Sequence, residues 1–132
     1  MTLTPADHIE IQQLLAKYAY ALDTGADDGY MYADLFTEDG TAFNVTGRDN
    51  LAKLAMAEPH GPQFVRHFPM HAVISPSADG ATGTQYLLMI DVGEDGQPSS
   101  VFLGGRYEDR FVKTAQGWRF KSRTMIRSKA GS

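Results

Sequence analysis

FVRHFPMHAVIS, residues 64–75, carries two of the four histidines of the chain, His67 and His71, inside an apolar run. Pro69 lies between them, and a proline in a helix interior removes a hydrogen bond and clashes with the preceding turn. We therefore predict a strand, covered on both sides because both of its faces are largely apolar. Alternate residues of a strand share a face. One face of this strand then holds Val65, His67, Pro69, His71 and Val73.

A histidine in such an interior titrates near neutral pH and can act as a general base if a carboxylate holds it. A metal pair is disfavoured, because residues four apart along a strand lie roughly 13 Å apart. No second cluster of His or Cys in the sequence completes a metal site. The alternative to a base is a hydrogen-bonded core histidine.

The composition suits one domain over residues 1–132. Hydrophobic residues make up 42% of the chain and are too dispersed for a membrane span. The chain start lacks the pattern of a signal peptide, and there is no cysteine for disulfide or thiolate chemistry. We expect a cytoplasmic protein. The net charge of −4 comes from mixed signs without a basic stripe, so no nucleic-acid partner is predicted.

The segments before residue 64 are predicted to be mainly helical. Thr4 and Pro5 are typical of a helix start, and Gly25 can end that helix in a left-handed cap. Further elements are predicted as a short helix over 27–35, a turn over 36–40, a strand over 41–45 and a helix over 48–58.

Strands with Gly-containing turns between them follow, over 64–75, 81–92, 99–112 and 118–126. Helices first and antiparallel strands afterwards indicate an α+β fold. A bent sheet closing over the first helix would leave a pocket between them.

Three further residues have both a structural and a functional interpretation. Asp23 either serves only a helix-terminal turn or has a partner. The sequence alone favours the first, because Asp is common at helix ends, while the unfavourable position of a carboxylate at a helix C-terminus supports the second. Tyr18 is either core or a pocket-lining donor, because its hydroxyl needs a buried partner. Asp91 shares a strand face with apolar residues, unless it lies at the strand end in solvent.

The remaining histidines and several arginines are predicted to lie on the surface. His8 and His60 fall in a first helical turn and a loop, and both are interpreted as surface residues. Four arginines alternate along the last strands in the manner of solvated faces: Arg106, Arg110, Arg119 and Arg123. The Phe, Tyr and Met content suits either a core or an apolar ligand pocket.

Together these segments resemble the SnoaL-like domains of the nuclear-transport-factor-2-like superfamily. The resemblance rests on YAYALD (18–23), YADLFTEDG (32–40), Arg66-His67, DGAT (79–82) and GWRFKSR (117–123), and covers nearly the whole chain. It implies a cone-shaped α+β barrel, with N-terminal helices packed on a strongly curved, mostly antiparallel sheet that encloses a pocket.

Within that superfamily the pattern is most similar to scytalone dehydratase, bile-acid 7α-dehydratase and hexachlorocyclohexane dehydrochlorinase, which use an Asp–His dyad. The resemblance implies that Asp23 and His67 are the dyad and that Tyr18 assists catalysis. It also implies substrate-binding roles for the residues that fall at pocket positions: His71, Asp91, Tyr107 and Arg123.

The resemblance favours a cofactor-independent lyase or isomerase that acts on a small, mostly apolar cyclic substrate. Steroids, polyketides, terpenoids and aromatic compounds all fit. The alternatives are a non-catalytic ligand-binding or assembly module, like the β subunit of ring-hydroxylating dioxygenases, and a polyketide cyclase. We expect no cofactor and no metal. A homo-oligomer, dimer or trimer, is expected, and the outer sheet face with Tyr86, Leu88, Ile90 and Val112 is the predicted interface.

Overall fold

The N-terminal helix α1 spans Pro5–Thr24 in the computed structural model, which describes residues 2–61 and 64–128. The Thr4 hydroxyl accepts from the Asp7 N–H (3.1 Å), and the Asp7 carboxylate accepts from the Thr4 N–H (2.9 Å), which forms a capping box. At the other end Gly25 has φ +64° and donates its N–H to the Ala21 carbonyl (3.0 Å), as a left-handed cap does. Both predicted helix ends are confirmed.

The next helices are short. A 3₁₀ helix spans Ala26–Gly29, α2 spans Tyr30–Ala33 and α3 spans Arg48–Met56. The prediction of one helix over 27–35 is wrong, because Asp27 and Asp28 have φ values of +56° and +52°. A left-handed backbone cannot continue a right-handed helix.

The first hairpin lies earlier than predicted. β1 spans Phe36–Ala42 and β2 spans Val45–Thr46, so residues 36–40 are strand and not turn. Phe43 and Asn44 have φ values of +53° and +66°. Such values are typical of the two-residue turns that match the strand twist of hairpins. The turn therefore lies inside residues 41–45, the segment predicted to be strand.

The four long strands are confirmed, each with its ends within two residues of prediction. They are β3 (Phe64–Ser77), β4 (Gly80–Val92), β5 (Pro98–Thr114) and β6 (Gly117–Arg127).

The described residues form one six-stranded sheet in the order β2-β1-β6-β5-β4-β3. Only the β1–β6 pair is parallel, and the other neighbours are antiparallel. The helix α1 contacts β3 and β6, so it covers the sheet from its edge strand to its middle. The predicted α+β fold, helices on a curved and mostly antiparallel sheet, is confirmed.

The core lies between α1 and the inner face of the sheet. Aromatic rings pack against one another around Tyr18 and Phe120, and aliphatic side chains complete the core. Its most buried large members are Ile11, Leu15, Tyr18, Tyr32, Leu51, Leu87, Phe111, Trp118 and Phe120.

A bulge in β3 changes which residues face inward. Pro69 pairs with Leu87 but Ala72 pairs with Gln85, so β3 has one residue more than β4 in this interval. The residues predicted to share one face of the strand therefore do so only as far as Pro69. The prediction that both faces are covered is wrong, because Phe68 is 52% and Met70 44% exposed. His67 is buried, whereas His71 is exposed and Val73 is 71% exposed.

A second bulge reverses the alternation in β6. Arg110 pairs with Ser122 but Phe111 pairs with Phe120, which leaves Lys121 as the extra residue. Because of that extra residue Arg123 points inward with Phe120 and is 1% exposed. The prediction that Arg123 belongs to a solvated row is wrong.

Within residues 2–61 and 64–128, no helix is both long enough and apolar enough to cross a membrane.

Gly29 lies where α2 begins, directly against α3. It has φ +89°, and a Cβ atom there would lie 2.2 Å from the carbonyl oxygen of Ala52. We expect Gly29→Ala to lower the free energy of unfolding by roughly 2–4 kcal/mol, because it adds a clash and a disfavoured backbone conformation. Urea unfolding measures the change.

Gly61→Ala is the matched control, since a Cβ atom at Gly61 would meet nothing within 4 Å. Its free energy of unfolding should stay within about 0.5 kcal/mol of the parent chain. Equal stabilities of the two variants would contradict the close approach of Gly29 to α3.

Candidate active site

Asp23 and His67 form a direct pair between α1 and β3. The His67 Nδ1 atom lies 2.5 Å from the Asp23 Oδ1 atom, and the two side chains are only 4% (His67) and 10% (Asp23) exposed. The backbone N–H of His67 also donates to both carboxylate oxygens, at 3.3 and 3.2 Å. One carboxylate therefore holds the backbone and the ring of the same histidine.

This bonding fixes the tautomer of a neutral His67 ring. A carboxylate only accepts, so the proton must sit on Nδ1 and the lone pair on Nε2. Among the described residues Nε2 has no hydrogen-bond partner. The ring thus has the form of a general base that a carboxylate orients.

Tyr18 lies deeper in the barrel than this pair. Its hydroxyl is 3.3 Å from that of Tyr32, and its ring packs against Phe36, Tyr107 and Phe120. The Arg123 guanidinium carbon lies 4.2 Å from the ring centroid of Tyr18.

Arg123 is the centre of a buried polar group that we term the Arg123 cluster: Arg123, Asp109, Gln85, Tyr18 and Tyr107. Its Nε and Nη2 atoms each lie 2.7 Å from an Asp109 carboxylate oxygen, and Nη2 donates to Gln85 Oε1 at 3.1 Å. The guanidinium carbon lies 3.7 Å from the ring centroid of Tyr107. Its Nη1 atom is buried without a partner among the described residues.

Burial and charge set the protonation of this cluster. Burial disfavours the charged guanidinium, but the Asp109 carboxylate outweighs that effect and raises the pKa of Arg123. Burial also raises the pKa of Tyr18 and of Tyr107 well above the usual value of 10.0. At neutral pH the cluster thus holds a paired cation and neutral phenols, which can donate hydrogen bonds.

Asp91 lies at the end of β4, two residues beyond Met89, which pairs with His67. It lines a cavity of about 510 Å³ with Pro59, Phe64, Val65 and Ser99 among others. The structure therefore places Asp91 half-buried beside this opening, close in sheet register to the Asp23–His67 pair.

His71 lies apart from the pair. The bulge of β3 turns it outward into a crevice of about 390 Å³ between α1 and β3. Gln85 closes that crevice and donates to the Met70 carbonyl at 2.7 Å. The residues that line this crevice do not include His67.

The structure thus brings together Asp23 with His67, and Tyr18 with Tyr107 and Arg123. The sequence analysis missed Asp109 and Gln85. Both occupy inward positions of β5 and β4, where the alternation of the flanking buried residues was the available signal. Within residues 2–61 and 64–128 no group of three His, Cys, Asp or Glu side chains could hold a metal ion.

Comparison with known proteins shows a family match and close structural likeness. The family described as SnoaL-like domain matches residues 4–124. No curated protein matches.

Three solved structures show the likeness. A variant of Rv3472 from Mycobacterium tuberculosis is 26% identical, with a TM-score of 0.83 over 97% of this chain and 80% of that one. An NTF2-like protein with a cystatin-like fold from Novosphingobium aromaticivorans is 25% identical, with a TM-score of 0.79 over 96% and 84%. ActVI-ORFA from Streptomyces coelicolor is 24% identical, with a TM-score of 0.81 over 97% and 99%, and so indicates the fold alone.

The Arg123–Asp109 pair has a testable energetic consequence. We expect Arg123→Met to lower the free energy of unfolding by about 3–5 kcal/mol, because Asp109 is left as a buried, unpaired charge. The double variant with Asp109→Leu removes that charge and should recover a large part of the loss. Urea unfolding of the single and double variants measures both values.

A double variant as unstable as Arg123→Met alone would contradict this account. It would show that the stacking of the guanidinium on the aromatic rings, and not its pairing with Asp109, stabilises the fold.

Proposed function

The chain belongs to the SnoaL-like domain family, and on that premise we propose that it is a cofactor-independent lyase or isomerase. The SnoaL-like fold supports a domain that binds or processes a small molecule. The observation that carries the finer proposal is the 2.5 Å contact between Asp23 and His67, which leaves Nε2 as the basic atom of the ring.

In the proposed reaction His67 Nε2 removes a proton from a carbon next to a carbonyl group. The Asp23 carboxylate stabilises the imidazolium that forms, and the electron pair moves toward the carbonyl oxygen. Loss of water or another leaving group from the neighbouring carbon completes an elimination. Return of the proton to a different carbon completes an isomerisation.

Tyr18 and Arg123 are the proposed donors to the developing negative charge. Tyr18 remains a neutral phenol because burial raises its pKa, and the Nη1 atom of Arg123 is a donor with no partner among the described residues. We keep Tyr107, buried in the Arg123 cluster, and Asp91, which lines the cavity of about 510 Å³, as proposed substrate contacts. We do not propose His71 as a substrate contact, because it is exposed in the crevice between α1 and β3.

The substrate proposed for this site is small, cyclic and mostly apolar. Side chains such as Val65, Leu87 and Met89 surround the inward face near His67. The charge of Arg123 is already balanced by Asp109, so a neutral ketone or alcohol suits it better than a carboxylate. Steroids, polyketides, terpenoids and aromatic ketones meet these conditions.

Deuterium incorporation tests the proposed base even while the natural substrate is unidentified. Panels of cyclic ketones and β-hydroxyketones are incubated with the protein in D₂O, and exchange at carbon is followed by mass spectrometry. For a ketone that exchanges, Asp23→Asn should reduce the rate by roughly two to four powers of ten, since the pair then loses its orienting charge.

His8→Ala is the control, because His8 is exposed in the first turn of α1. Near-parental exchange by Asp23→Asn, with the same fold, would refute the Asp–His mechanism. A polyketide cyclase would use the same base for carbon–carbon bond formation, so ring closure of a linear polyketone distinguishes that alternative.

The second candidate function is a ligand-binding or assembly module without chemistry. The observation that favours it is the outer face of β3 to β5, where Phe68, Tyr86 and Val101 are 52%, 66% and 57% exposed. The same face has an apolar hollow of about 340 Å³, which is lined by Phe68, Ile90, Val92 and Pro98. A contiguous apolar face of this kind typically binds a protein.

We propose that a second copy of the chain covers this face, in a cytoplasmic homo-oligomer. Tyr86→Lys should then shift the protein toward monomer by placing a charge in the contact, as sedimentation velocity measures. Ile9→Lys is the control, since Ile9 is 71% exposed on α1, away from the sheet face. A parent chain that sediments as a monomer would overturn the proposal.

A further inference from the structure

The last turn of α1 contains Asp23 and has no basic residue. A carboxylate at a helix C-terminus faces the negative end of the helix dipole and the unpaired final carbonyl groups. This arrangement needs donors from outside the helix, and the segment that leads into β3 supplies them.

His60 and Arg66 bind the carbonyl oxygens of Leu22 and Asp23. His60 Nε2 lies 2.9 Å from the Leu22 carbonyl oxygen, and Arg66 Nη1 donates to the Asp23 carbonyl oxygen at 3.3 Å. A carbonyl only accepts, so His60 carries its proton on Nε2. Both side chains therefore place positive polarity at the end of the helix that bears Asp23.

The helix terminus is shaped to receive the His60 ring. A Cβ atom at Gly25 would lie 3.2 Å from His60 Cε1 and Nε2, and 3.1 Å from the Met56 sulfur. Gly25 also has the left-handed conformation that ends α1. The glycine thus serves the cap and leaves space for the ring at the same time.

Five hydrogen bonds from His60, Arg66 and His67 now reach three groups at the end of α1. They end on the Leu22 carbonyl, the Asp23 carbonyl and the Asp23 carboxylate. Because the two carbonyl contacts hold the backbone on both sides of the Cα atom of Asp23, they restrict where its carboxylate can lie. Proton transfer depends steeply on such placement, and misplacement by about 1 Å can cost as much as 10²-fold in rate.

We infer that His60 is a positioning residue for Asp23, acting through the Leu22 carbonyl together with Arg66. It does not touch the reacting atoms. This inference rests on the proposed function, in which the Asp23–His67 pair is the base, and it gives a role to a histidine that the sequence pattern places on the surface.

The test uses nuclear magnetic resonance of the full chain, without any ligand. The Nδ1 proton of His67, shared with a carboxylate in a nearly enclosed site, should resonate far downfield of the backbone amides. His60→Phe keeps a ring but has no donor, whereas His60→Gln can place an amide N–H where Nε2 lies. We expect the downfield resonance to be lost or broadened in His60→Phe and retained in His60→Gln.

Two controls separate the inference from its premise. Asp23→Asn must abolish the resonance, which tests the pair itself, and His8→Phe must leave it unchanged. Loss in Asp23→Asn with full retention in His60→Phe would overturn the role of His60 and leave the proposed function standing. Loss of the resonance in both His60→Phe and His60→Gln would also overturn the role of His60. It would show that an N–H donor to the Leu22 carbonyl is not enough to position Asp23.

Discussion

The bond between Asp23 and His67 joins the end of α1 to the edge strand of the sheet. Among the described strands β3 pairs only with β4, so most of its other edge must be covered by something other than a strand. The Asp23 carboxylate does this at His67, where it accepts from the backbone N–H and from the ring. The same contact therefore closes the barrel beside α1 and orients the imidazole. The contact between α1 and β3 and the proposed chemistry thus both depend on the Asp23 carboxylate.

A second constraint lies in the core, where Arg123 is buried. Its charge is tolerated because Asp109 binds it through two short contacts and because aromatic rings stack on its faces. Such pairs cost desolvation energy, so their presence is weak evidence for added stability. Here the pair leaves one donor, the buried Nη1 atom, without a partner among the described residues. In the proposed function this donor binds a neutral oxygen of the substrate.

Helix caps and strand periodicity made most of the fold predictable. The Thr4 cap, the Gly25 terminus and the four long strands follow from local rules that hold at those positions. The resemblance paired Asp23 with His67, and the observed contact agrees with that pairing. The predictions of which side chains face inward were wrong at two bulges. One extra residue near Pro69 leaves His71 facing outward, and the extra residue Lys121 leaves Arg123 facing inward. A bulge is set by packing between strands. Proline within a sheet is found at edge strands or bulges, so Pro69 is compatible with the first bulge without fixing its position, and no residue beside Lys121 indicates the second. Asp27 and Asp28 likewise adopt left-handed conformations that a helical pattern does not reveal.

The tautomer of His67 is the most direct test of the account. Long-range ¹H–¹⁵N correlation spectra of the ring, recorded at neutral pH on the full chain, distinguish a protonated from an unprotonated nitrogen. We predict a proton on Nδ1 and a lone pair on Nε2, the atom proposed to remove the substrate proton. A neutral ring with its proton on Nε2 would contradict it, because Asp23 would then face a lone pair and the base would point the wrong way.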